Sequence, residues 1–303
     1  IYDSSDDPIE LFKQLGFTIF YSEKVGCLLN EESELSGTLN SIIENIHSLL
    51  HQKLKQPRKA QNTLESFLND LSPPNYLIEA AKNSKNLILA SAQLPYNDQL
   101  PKRCDLAPLV NLLLDPALDS CIKISESLDS LDAAIFMINC IHMVKETLLG
   151  LSSNGKKFDQ SNIGQMWTER LSEDLEGWAI ALRGLFCRKI MEETEMDGVL
   201  KAVENRNKSE QLIANLKKMN ANDLKVVFQN FHTTLFSLNF DRFEKIESFE
   251  IKEHLRHLSV QHLSKEYRNV YETLSDKEAS GFDDTSFMFH TPEEVSIILD
   301  CDT

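Results

Sequence analysis

The chain has 303 residues, 42% of them hydrophobic, enough to bury one or two cores of ordinary domain size. Lys and Arg number 31 against 47 Asp and Glu, a formal charge of −16, and a field of that sign repels nucleic-acid backbones and anionic lipid headgroups. Ten glycines and nine prolines are few for this length, which argues against a turn-rich β architecture and for long helices.

The segment 9–29 places Leu11, Phe12, Leu15, Ile19, Phe20 and Val25 at helical spacing and predicts a partly buried helix. From 34 to 56, Leu39, Ile42, Ile43, Ile46, Leu49, Leu50 and Leu54 form the stripe of an amphipathic helix that ends before Pro57. A shorter helix is expected over 63–71, stopped by Ser72-Pro73-Pro74, and another over 76–94, ending at Pro95. Pro95, Pro101 and Pro108 stand among polar residues, so a boundary is expected near Leu100, with one helical bundle over 1–100 and a C-terminal one over 101–303.

Helices are then expected over 109–127 and 131–149. The second is apolar almost all round, interrupted by Asn139, His142, Lys145 and Glu146, which suits the middle of a bundle better than a bilayer. After the break at Ser152-Ser153-Asn154-Gly155, the segment 166–191 carries Trp167, Leu171, Leu175, Trp178, Leu182 and Leu185, with both indoles on one stripe as packing anchors. The segment 198–219 has a charged middle at 204–208 that reads as a loop between short helices. Asn222 is read as the N-cap of a helix bearing Leu224, Val227, Phe228, Phe231, Leu235 and Leu238. A long helix follows through Ile251, Leu255, Leu258, His262, Tyr267, Val270 and Leu274. Thr291-Pro292-Glu293-Glu294 then reads as a hydroxyl cap, Pro at N1 and two acids facing the dipole of a short terminal helix, docked by Val295, Ile298 and Leu299.

The usual signatures of chemistry are missing from this pattern. His47 and His51, at i and i+4, are half of a zinc site, but no Glu follows His47 and no third ligand is near in sequence; solvated helix histidines are the simpler reading. His254, His257 and His262 cluster again, with Arg256 between the first two opposing a cation. Paired Asp motifs for a magnesium–diphosphate cluster are incomplete at Asp283-Asp284 and at Asp6-Asp7. With no nucleophile elbow and no glycine-rich phosphate loop, neither catalysis nor a metal or cofactor is expected. The basic runs 53–59 and 201–208 are interleaved with polar or acidic residues and read as solvated surface, so no nucleic acid and no direct membrane insertion are expected. The six cysteines form no Cys-x-x-Cys pair and read as reduced thiols of a cytosolic chain, Cys140 and Cys187 as core filler. The sequon Asn207-Lys208-Ser209 is expected to be unoccupied. The start Ile1-Tyr2-Asp3, without Met, is expected to be that of a fragment.

Leu114-Asp115-Pro116-Ala117-Leu118, followed by Ala134-Ile135-Phe136-Met137-Ile138-Asn139, resembles paired segments in the C-terminal half of the sixth subunit of the conserved oligomeric Golgi complex. The tail is similar too, through Tyr267-Arg268-Asn269-Val270-Tyr271 and then Phe289-His290-Thr291-Pro292-Glu293-Glu294-Val295, as is the break at Leu71-Ser72-Pro73-Pro74. The chain departs from that pattern at Asp276-Lys277, which lacks a proline, and over 201–219.

The resemblance implies an elongated rod of stacked antiparallel helix bundles, all-α and non-catalytic, in a vesicle-tethering subunit on the cytosolic face of the Golgi membrane. It implies retrograde transport within the Golgi, sibling subunits as partners through an N-terminal coiled-coil portion lying elsewhere, and SNAREs and Rab-type GTPases as further partners. Tyr267, Tyr271, Phe287, Phe289 and Pro292 are a candidate partner-binding face, because aromatics make strong interface anchors. The competing reading has the same residues docking the last helix onto the body. An exocyst-type tethering subunit and a helical metal-dependent enzyme are the alternatives for the chain as a whole.

Overall fold

The computed structural model describes residues 7–27, 34–55, 70–94, 105–149, 162–204, 221–238, 240–276, 280 and 285–301. Among these residues the structure is all-α, with ten α-helices, one 3₁₀ turn and no strand. The chain divides into two compact units, Ile1–Leu128 with Asn139–Leu175, and Asp129–Ile138 with Glu176–Thr303.

The first unit opens with α1 (Pro8–Gly26) and α2 (Glu34–Lys55), which pack on each other, followed by α3 (Asn75–Ser91) and α4 (Leu106–Ser125). Asp7 caps α1 by accepting from the Ile9 N–H at 3.0 Å, and Pro8 at N1 has no N–H to leave unpaired. The expected stripe of α2 is the one it buries, through Ile43, Ile46, Leu50 and Leu54. Phe12, Leu15, Leu50, Leu77 and Leu87 are fully enclosed in this core.

The helix expected from 109 starts earlier, at Leu106, because Asp105 caps it through the Ala107 N–H at 3.1 Å. Pro108 therefore sits at N3, inside the first turn, where an N–H has no helical acceptor anyway. Pro116 lies within the same helix and removes one bond of its ladder. The expected division at Leu100 falls outside the described residues, as does all but the end of the helix expected over 63–71. The helices α3 and α4, on either side of that division, pack against each other.

At Leu71 the backbone turns left-handed, with φ 53°, the conformation that commonly ends a helix. Leu71 is fully buried, and its carbonyl accepts the Asn139 side-chain amide at 3.0 Å. The polar interruption of the apolar segment 131–149 is thereby matched to a main-chain acceptor in the same unit. That segment forms α5 (Ser130–Leu149), buried on every face from 133 to 141. In α6 (Asn162–Glu193), Trp167 is enclosed and donates from Nε1 to Asn111 Oδ1 at 3.0 Å, while Trp178 is only half-buried.

The second unit contains the start of α5, the end of α6, α7 (Met196–Glu204), α8 (Ala221–Phe236), a 3₁₀ turn (Phe243–Lys245), α9 (Phe249–Ser275) and α10 (Pro292–Cys301). The helices α6 and α7 join through Glu195 at φ 61°, while Thr194 is buried and donates to the Ile190 carbonyl at 2.8 Å. The helix α8 begins at Ala221, so Asn222 lies in its first turn and is not its cap. Ser248 caps α9, donated to by the Ile251 N–H at 3.4 Å. The helix α9 packs on α7, α10 and the 3₁₀ turn, and α8 on α7 and α10.

Candidate protein-interaction face

Apolar residues of α8 at 224, 227, 228, 231 and 235 fall on one face, and the helical phase carries position 232 onto that face as well. His232 is accordingly 5% exposed. It meets Tyr267 of α9, whose ring stacks on Phe231 with centroids 5.4 Å apart and meets the edge of Phe228 at 6.0 Å. The Tyr267 hydroxyl donates to the main-chain carbonyl of His290 at 2.6 Å, which leaves its oxygen to accept from His232 Nε2 at 3.2 Å. One relay thus ties α8, α9 and the segment leading into α10.

Of the five residues expected to form a partner-binding face, Tyr267, Phe287 and Pro292 lie inside this packing, with Tyr267 wholly enclosed and Phe287 packed against Phe228. Tyr271 is half-buried beside Tyr267. Phe289 is 44% exposed and meets His232 with its edge. Phe236, at the end of α8, is 60% exposed and borders His290, so the aromatic surface that reaches solvent is built by Phe236, His290 and Phe289.

The start of α10 carries a reciprocal capping box. Thr291 N–H donates to Glu294 Oε2 at 2.8 Å, and Glu294 N–H to Thr291 Oγ1 at 3.2 Å. The Thr291 backbone donor is the main reason the Glu294 carboxyl is held below its ordinary range. Arg268 of α9 reaches Glu293 at 3.1 Å, an exposed pair of small energetic weight.

Burial, and then the neighbouring His290, lower the His232 pKa to about 4, and burial raises that of Tyr267. His232 Nδ1 is buried without a hydrogen-bond partner, as expected of the neutral tautomer that donates from Nε2.

His47 and His51 do come together, with ring centroids 4.5 Å apart, and burial lowers the His51 pKa. Among the described residues no group of three or more His, Cys, Asp or Glu side chains is placed to hold a metal ion. His254 and His257 are exposed on α9, and Asp283, Asp284 and Asn207 fall outside the described residues. Cys140 and Cys187 are buried, and burial pushes the Cys187 thiol up to about 12.

The described residues thus define a helical-bundle protein whose C-terminal helix is held down by an aromatic clasp, with part of that clasp open to solvent. The family model described as "Conserved Oligomeric Golgi complex subunit 6, C-terminal" matches residues 1–299, and the chain belongs to that family. It is 19% identical to the conserved oligomeric Golgi complex subunit 6 of Rattus norvegicus and 20% identical to that of Bos taurus, over 95% of this chain and 43% of each relative. The Homo sapiens subunit is 19% identical over 76% of this chain and 35% of the relative. The chain therefore spans less than half the length of the curated relatives it matches. No solved structure matches it significantly.

Proposed function

We propose that this chain is the C-terminal part of a non-catalytic subunit of a Golgi vesicle-tethering complex, acting in retrograde transport within the Golgi through protein contacts. The observation that carries this reading is the match to one family over residues 1–299. The all-α architecture of the described residues supports it, since bundled amphipathic helices offer grooves and faces to partner helices.

In this reading, sibling subunits are met chiefly through the part of the relatives' length that this chain does not span. SNAREs and Rab-type GTPases are met through its own faces, including the rim of Phe236, Phe289 and half-buried Tyr271. The protein sits peripherally on the cytosolic side of the Golgi; in keeping with this, no helix among the described residues is long and apolar enough to cross a membrane. Depleting the protein in the cells that make it, then measuring surface glycans with lectins and counting vesicles around the Golgi, tests the reading. Truncated glycans and accumulated vesicles are expected, and unchanged glycans and vesicle numbers after full depletion would reject it.

A further inference from the structure

Three polar groups meet inside the first unit: the hydroxyl of Tyr76 on α3 and the thiols of Cys121 on α4 and Cys140 on α5. Tyr76 lies in the first turn of α3, and its oxygen is 3.4 Å from Cys121 Sγ. Cys121 is also hydrogen-bonded to Cys140. The level of α5 at this point is fixed by a second contact, because the adjacent Asn139 donates to the carbonyl of Leu71, which lies shortly ahead of Tyr76 in the chain. Both thiols are free and fully buried. Hydrogen-bonded sulfurs have only the remaining gap to close to the S–S length of about 2.05 Å in a disulfide.

The surroundings set Cys121 apart from an inert core thiol. The hydrogen bond with Cys140, and then the one with Tyr76, hold the Cys121 thiol below its ordinary range in spite of burial. Burial raises the Tyr76 pKa, so that hydroxyl keeps its proton and donates to a Cys121 thiolate. Cys187 is the contrast: it is just as enclosed, its thiol meets the Ser259 carbonyl at 3.6 Å, and burial pushes it up. Access to the pair comes past Tyr76, which is half-buried on a helix start whose N-cap, Pro74, offers no side-chain hydrogen bond. An uncapped first turn opens at low cost, so a small oxidant reaches Cys121 by local opening, more slowly than it reaches exposed Cys27.

We propose that Cys121 and Cys140 are a reversible redox pair, oxidised by a peroxide to a disulfide that staples α4 to α5. The Cys121 thiolate attacks one oxygen of hydrogen peroxide and the O–O bond breaks; Cys121 becomes a sulfenic acid, and the departing hydroxide takes up the proton Cys121 gave away, leaving as water. The Cys140 sulfur then attacks the Cys121 sulfur, the S–O bond breaks, and the hydroxyl leaves with the Cys140 proton as a second water. Two thiols and one peroxide thus become one disulfide and two waters, and a dithiol reductant reverses the change by thiol–disulfide exchange. The site goes beyond the tethering function and does not depend on it, so either reading can fail without the other.

The whole chain is treated with hydrogen peroxide near neutral pH, alkylated in denaturant to cap the remaining thiols, digested and read by mass spectrometry without reduction. A linked Cys121–Cys140 peptide pair is expected, with the helical circular dichroism unchanged, and is expected to be lost after dithiothreitol. In Cys140→Ala the second step has no partner, so a dimedone adduct marking the sulfenic acid is expected on Cys121. In Cys121→Ala the adduct is expected to be missing from Cys140. The linked pair is read in the parent chain, which keeps the test decisive if an alanine variant fails to fold. Absence of the Cys121–Cys140 link, pairing of either thiol with another cysteine in its place, or a link that forms only after the helical signal is lost would overturn the proposal.

Discussion

Acid should loosen the second unit through the buried side chain of His232. Its Nε2–H is spent on Tyr267, whose own hydrogen goes to the His290 carbonyl, so a second proton would have to sit on buried, unpartnered Nδ1. Around the ring stand Phe228 and Phe231 of α8, Tyr267 of α9, and Phe289 and His290 ahead of α10, with the Glu294 carboxylate 3.6 Å from His290 Nδ1. Burial and His290 put the folded pKa at about 4, against 6.5 in the unfolded chain. Between those values the unfolded state binds more protons, so stability is full above about pH 6.5 and falls as the pH drops towards 4. The loss works out at about 2 kcal/mol by pH 5 and about 3 kcal/mol below pH 4.

Urea unfolding at pH 7.5 and pH 5, followed by Trp178 fluorescence in a Trp167→Phe background, reads this unit, because Trp178 lies in its part of α6. His232→Phe keeps an aromatic ring in the pocket and removes the proton site. The parent should lose about 2 kcal/mol more than the variant between the two pH values. Equal losses in both would refute the assignment of acid sensitivity to His232.

Other perturbations read other parts of the fold. Asn139→Leu strands the buried Leu71 carbonyl and should cost about 1–3 kcal/mol in urea unfolding. Gly16→Ala would place a Cβ 2.6 Å from both terminal carbons of Leu94, so a loss of about 1–3 kcal/mol is expected; an unchanged melting temperature would mean that Leu94 gives way freely. Glu195→Gly relieves an exposed left-handed residue and should raise stability by about 1 kcal/mol. In native protein at pH 8, iodoacetamide followed by mass spectrometry should find exposed Cys27 alkylated and Cys187 untouched, because burial keeps the latter a thiol.

Much of the helical pattern could be read from the residues, and the places where it could not share a cause. The stripe at Ile43, Ile46 and Leu50 and the cap at Thr291-Pro292 are local signals, and both elements formed where periodicity and capping chemistry put them. Helix starts went astray where a proline resembled a stop. Asp105 caps a helix that simply absorbs Pro108, and Asp7-Pro8 is itself a start signal that hydrophobic spacing passes over. The left-handed turns at Leu71 and Glu195 carry no glycine to announce them. At the candidate face, an aromatic residue looks the same in sequence whether it is a rim residue or a core residue. The packing of α8, α9 and α10 buries Tyr267 and leaves Phe289 outside. His232 did leave a trace, since it lies four residues from Phe228 and three from Leu235, in phase with the apolar side of its helix.

The clasp on the last helix has an uneven tolerance to change. Tyr267 grips the main-chain oxygen at position 290, and any amino acid there presents the same oxygen. Exchanging residue 290 therefore alters the ring contacts of the rim and keeps the acceptor for this hydrogen bond, whereas Tyr267→Phe removes the hydroxyl that makes it. The chemistry of the rim can thus drift from sequence to sequence over an anchor that cannot.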